Sequence, residues 1–68
     1  MTAYEKNNKF KIARITSGLT QKELGDKVGV TSRTIQFYET GVRFPPVDLA
    51  KKIADEFGKS MEDIFFTN

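Results

Sequence analysis

Between Gln21 and Thr40 the chain sets polar, cationic and aromatic side chains at helical intervals, and these are the residues whose types can do chemistry. Arg33 offers a planar fork of donors, and Gln36, three residues on, offers an acceptor and a donor in one plane. Ser32 adds a hydroxyl beside them and Phe37 an apolar ring. Around this set lie groups suited to holding an anion. They are the hydroxyls of Thr31, Thr34 and Thr40, the cations Lys22 and Arg43, and Gln21 with the free backbone N–H groups of a helix start. Such a set can bind and read a polyanion, but it is poor in bond-making groups. The 68 residues hold no His and no Cys, which removes the commonest nucleophile–base pairs and an ordinary zinc site. No acidic cluster or Ser/Lys pair stands beside a pocket-forming pattern, so an enzyme is not expected, and neither is a cofactor or a small-molecule ligand.

Length and charge narrow the reading further. The 68 residues have room for one domain, with its folded core at about 7–66. A domain of this size buries only about 60% of the surface its unfolded chain exposes, and without disulfide or metal the first suspicion is a partner subunit. The formal net charge is +2, and it is unevenly spread. Residues 1–43 carry eight Lys and Arg against four Asp and Glu, whereas residues 44–68 carry three against five. A basic half beside an acidic half suggests a polyanion on one side only. No 18-residue apolar run and no apolar leader stretch are present, so neither a membrane span nor a signal peptide is expected and the cytoplasm is the default location.

The elements that must position these residues are helical. Five segments can be read, with no competing strand alternation. The first is about Asn7–Ser17, with Phe10, Ile12, Ala13 and Ile15 as its apolar positions and Gly18 as its stop. The second follows the capping box Thr20-Gln21-Lys22-Glu23, seats Leu24 and Val28, and ends before Gly29. The third runs about Thr31 to Thr40, with Thr31 as N-cap, Ile35 and Tyr38 inward and Gly41 closing it. After the loop Val42–Pro46, Pro46 fits the first turn of a fourth helix with the stripe Leu49, Ala50, Ile53, Ala54 and Phe57. Gly58 ends that helix, and Ser60 opens a short fifth one with Asp63 as a weaker box partner. Only Met1–Lys6 and Thr67–Asn68 look frayed.

Two short helices separated by Gly29-Val30, with Gly25 small where they cross, make a helix-turn-helix. The face left outside, Ser32, Arg33, Gln36, Phe37 and Thr40, is convex, polar and short enough for a B-DNA major groove about 12 Å wide. Here the chain resembles the lambda-repressor-like helix-turn-helix proteins of the phage repressor and Cro type. The matching residues are Gly18-Leu19-Thr20-Gln21-Lys22-Glu23-Leu24, Val28-Gly29-Val30-Thr31, Ile35, Glu39, Gly41, and Pro45 or Pro46. The tail Asp48-Leu49-Ala50, Ile53-Ala54, Phe57-Gly58 and Met61-Glu62-Asp63-Ile64-Phe65 also fits, so the resemblance covers about Phe10 to Phe65. Two positions depart from it. Gly25 stands where that family usually has Ala, at a helix-propensity cost of about 1 kcal/mol, and Phe37 stands where it usually has a polar residue.

The resemblance implies an all-α, compact five-helix bundle. It implies a homodimer on a near-palindromic double-stranded operator, with half-sites about 34 Å apart. It also implies that Arg14 and Glu39 form an internal ion pair, which makes Glu39 structural and not a reader. From their own chemistry, base readout falls to Arg33, Ser32, Gln36 and Phe37: Arg33 forks onto a guanine or else holds a phosphate, and Phe37 either meets a thymine methyl or packs in the core. Gln21, Lys22, Thr31, Thr34, Thr40 and Arg43 are the phosphate candidates. Met61, Ile64, Phe65 and Phe66 are too many large apolar groups for so short a helix to hide, so they are the expected dimer interface. Repression is the default role, since occluding a promoter requires only occupancy. The competing reading is an antitoxin-like or other protein-interaction module built on the same fold.

Overall fold

The computed structural model describes residues 8–65, and among these every regular element is a helix. They are α1 (Asn8–Thr16), α2 (Gln21–Val28), α3 (Ser32–Thr40), α4 (Val47–Phe57) and α5 (Met61–Phe65). The expected fraying of Met1–Lys6 and Thr67–Asn68 lies outside the described residues, as does Phe66.

Each helix end follows from local chemistry. Thr20 and Glu23 form a reciprocal box: the Glu23 N–H donates to Thr20 Oγ1 at 3.0 Å, and the Thr20 N–H donates to Glu23 Oε1 at 2.9 Å. Thr31 caps α3 in the same way, accepting from the Thr34 N–H at 3.1 Å. Pro46 stands one position earlier than its sequence suggests. It is the N-cap of α4, not part of the first turn, because its ψ of 156° is extended, while its carbonyl already accepts from the Ala50 N–H. Ser60 Oγ accepts from the Asp63 N–H at 3.1 Å and starts α5.

The core gathers on Phe10, which is fully buried. Its ring meets Phe57 edge-on at 5.7 Å, Phe65 at 5.5 Å and Tyr38 at 6.5 Å, joining α1 to α4, α5 and α3. Leu24, Ile35, Ile53 and Ile64 fill the space between, also fully buried. On α1 the buried positions are Phe10, Ala13 and Arg14, a three-and-four spacing. Ile12 and Ile15, which the sequence groups with them, face outward at 62% and 57% exposure because they lie on the opposite side of the same helix.

The segment expected at a dimer contact packs largely inside the single chain. Ile64 and Phe65 are buried within the single chain and Met61 packs half-buried against the same core, while Phe66 lies outside the described residues. The sequence count overlooked that Phe10 and Phe44 both turn toward Phe65, giving the short helix enough apolar surface to cover it. Among the described residues, the large apolar side chains that stay exposed are Ile12, Ile15, Val42, Phe44 and Val47.

The turn between α2 and α3 is unusually close. Gly29 has φ 87°, and the N–H groups of Gly29 and Val30 both donate to the Gly25 carbonyl, at 2.7 and 2.9 Å. A Cβ on Gly25 would lie 2.4 Å from the Val30 carbonyl oxygen and 3.2 Å from the Thr31 carbonyl carbon. These are backbone atoms, so a methyl there forces α3 away from α2. Gly25→Ala therefore does not yield the gain of about 1 kcal/mol that helix propensity alone predicts. The overpacking cost of about 1–3 kcal/mol outweighs it, and thermal denaturation by circular dichroism reads a lowered midpoint. A raised midpoint would mean that the turn relaxes freely.

Candidate nucleic-acid interface

The candidate surface is built by α3 and its two flanking loops. Ile35, Tyr38 and Glu39 anchor the inner side of α3. That leaves Ser32, Arg33 and Gln36 exposed and Phe37 half-buried, and together with Thr40 and Val42 they line one shallow, open depression. All four expected base readers are thus on one face. Val42 was not singled out by the sequence, and nothing in its immediate pattern marks it.

Two cations converge on the one ring in this face. The Arg33 guanidinium carbon lies 5.5 Å from the Phe37 ring centroid and that of Arg43 lies 5.3 Å from it. Arg33 comes from one turn earlier in α3, the four-residue spacing that places two side chains together. Arg43 comes from the following loop, which is tied back to the helix by the Arg43 N–H donating to the Phe37 carbonyl at 3.3 Å. Among the described residues neither Arg33 nor Arg43 is ion-paired with a carboxylate. Burial pushes the Tyr38 phenol above the usual tyrosine range, and the positive charge of Arg43 partly pulls it back.

The groups considered for phosphate contact divide by what they already do. Thr31 and Thr34 share a hydroxyl–hydroxyl hydrogen bond at 3.0 Å, so one hydroxyl hydrogen of the pair is left for an external acceptor. The Thr40 hydroxyl donates to the Gln36 carbonyl at 3.0 Å in this structure. Lys22 pairs with Asp26 at 3.1 Å, both side chains well exposed, an interaction weak enough to be exchanged for a phosphate. Gln21 is turned inward instead: its Nε2 donates to Glu39 Oε1 at 3.1 Å, leaving its backbone N–H group at the α2 start.

Glu39 is the centre of a buried polar knot. Its second oxygen accepts from Arg14 Nε, and a terminal nitrogen of Arg14 donates to the Leu19 carbonyl at 2.7 Å. Arg14 and Glu39 are 8% and 6% exposed, so this pair lies inside the fold. The knot ties together the end of α1, the turn after it, the start of α2 and the last turn of α3. Deleting one partner strands the other. Glu39→Ala costs about 3–5 kcal/mol, while the exposed reading face keeps its composition. Urea denaturation checks the cost, and the double replacement Arg14→Met with Glu39→Leu recovers much of it, because no buried charge is then left alone. A Glu39→Ala protein as stable as its parent would dismiss the knot as a structural element.

Among the described residues no group of three or more carboxylates gathers as a metal site, and no helix is long and apolar enough to cross a membrane.

Comparison with known proteins agrees with this arrangement. The helix-turn-helix family matches residues 10–64, which holds all five helices except the start of α1 and the end of α5. The chain is 42% identical over 59 residues to YgzD of Bacillus subtilis, named as an uncharacterized HTH-type transcriptional regulator, covering 87% of this chain and 89% of that protein. It is 47% identical over 58 residues to another protein so named in Methanocaldococcus jannaschii, covering 85% and 88% respectively. A third, from Archaeoglobus fulgidus, is 48% identical over 52 residues, covering 76% of this chain and 74% of its own. With a family match across most of its length, the conserved-length relatives and a turn built as the motif demands, the chain belongs to the lambda-repressor-like (XRE-type) helix-turn-helix family of DNA-binding transcriptional regulators, which are not enzymes.

Proposed function

We propose that the protein is a dimeric repressor that reads a near-palindromic operator by laying α3 in the major groove. The observation that carries this reading is the pair of guanidiniums, Arg33 and Arg43, held on one exposed face with no carboxylate to neutralise them among the described residues. Two cations without a carboxylate partner on one face suit a polyanion as the partner that neutralises them. Arg33 reads guanine, with Ser32 and Gln36 as secondary readers. Arg43, Lys22, the Thr31–Thr34 hydroxyl pair and the N–H groups at the α2 start hold phosphates and fix register. Occupancy of a promoter in the cytoplasm is sufficient for repression.

Selection from random duplexes, followed by binding titrations on the recovered sequence, tests the reading. Arg33→Ala weakens binding by about 1–3 kcal/mol and relaxes preference at one position. Arg43→Ala weakens binding evenly across sequences and lowers the log–log salt slope by about one. Failure to recover any duplex at low salt would turn the account toward a protein-interaction module.

The two-fold contact is assigned to the edge beside α3, where Val42, Phe44 and Val47 stay exposed. A contact there sets the spacing of two copies of α3 directly, as paired half-sites require. Val47→Glu is the informative change. Val47 is 70% exposed and begins α4, where an acidic side chain suits the positive end of the helix. Sedimentation at micromolar concentration shows a dimer for the parent and a stable, folded monomer for Val47→Glu. A monomeric parent, or a dimer indifferent to the change, would contradict the assignment.

A further inference from the structure

Phe37 is the residue that the fold leaves without a structural task. It is half-buried, absent from the core cluster, and placed on the outer face of α3. A lone aromatic ring there would be an ordinary surface residue, but this one has guanidiniums from two different segments placed against it, Arg33 at 5.5 Å and Arg43 at 5.3 Å. One apolar ring thus has two forked donors set against it. In the major groove, duplex DNA can present a matching set of groups. Guanine offers O6 and N7 as paired acceptors for one fork, a pyrimidine carrying a C5-methyl group offers an apolar knob for the ring, and the strand backbone offers a phosphate for the other fork.

Resting on the DNA-binding reading above, we propose that Arg33, Phe37 and Arg43 act as one unit, which reads a guanine together with the C5-methyl group of the neighbouring pyrimidine and clamps the phosphate beside them. The spacing suits this. Successive base pairs rise about 3.4 Å, and a guanidinium and a ring centred 5.5 Å apart can address two neighbouring pairs with a sideways offset between them. The ring also restrains both long side chains before binding, so less of their freedom is lost when the duplex arrives. Phe37 is thus both a reader of the methyl group and a positioning residue for Arg33. The base beside the guanine is thymine, or 5-methylcytosine in a methylated site, since both carry the same methyl group.

The test uses the duplex recovered by selection, and it changes the DNA before the protein. Thymine next to the guanine is replaced by deoxyuridine, which removes the methyl group and nothing else. The intact protein then binds about four-fold more weakly, the worth of one methyl-sized group taken out of water. Phe37→Ala, checked for folding by circular dichroism, binds the thymine and deoxyuridine duplexes alike. Phe37→Leu keeps an apolar contact but no ring. It still prefers thymine, yet discriminates less sharply at the guanine that Arg33 reads. A recovered site with guanine but no methylated neighbour, or an intact protein indifferent to deoxyuridine, overturns the paired readout while leaving DNA binding in place. Recovery of no duplex at all overturns the DNA reading and this inference with it.

Discussion

The buried contact between Arg14 and Glu39 is the constraint on which the arrangement depends. Three short helices of nine, eight and nine residues are too short to be stable alone. Glu39 receives Arg14 from α1 and Gln21 from α2, and Arg14 also reaches the carbonyl of Leu19. A charged pair of this kind adds little net stability over an apolar replacement, but its hydrogen bonds tie the ends of α1, α2 and α3 to one another. Glu39 sits in the last turn of α3, so fixing it fixes how α3 stands against α1 and α2. The outer residues of α3 then inherit that orientation.

The second constraint is distance. Gly25 lets the backbone of the turn close to within contact of α2, and the aromatic cluster on Phe10 draws α4 and α5 against the inner side. The consequence is a division of labour along α3. Ile35, Tyr38 and Glu39 are committed to the interior, while Ser32, Arg33, Gln36 and Phe37 stay outside it. Rigid placement of the anchors is what allows side chains on so small a scaffold to hold a defined pattern.

Much of this was legible in the residues. The capping box at Thr20 and Glu23, the Thr31 cap, the stripe on α4 and the glycine stops are local signals, and local signals survive folding. What was not legible depended on which side of a helix met a neighbour. Ile12 and Ile15 are as apolar as Ala13, and only the position of the remaining helices decides that they face outward. Phe65 read as surplus because its partners, Phe10 and Phe44, lie 55 and 21 residues away in the chain. Gln21 was expected at a phosphate; one N–H of its side chain also joins the knot, a partnership across 18 residues that no short-range pattern reveals. The ring contacts of Phe37 fall between these cases: the Arg33 spacing is helical, whereas the approach of Arg43 needs the loop to fold back.

The most direct measurement of the central claim is a residue-by-residue map of the bound face. Backbone and side-chain resonances followed by nuclear magnetic resonance, during titration with a recovered duplex, would report it. The account predicts that the largest changes fall on Ser32, Arg33, Gln36, Phe37 and Arg43, with Lys51, Lys52 and Lys59 unmoved despite their charge. Changes centred on α4 and α5, with α3 silent, would contradict it.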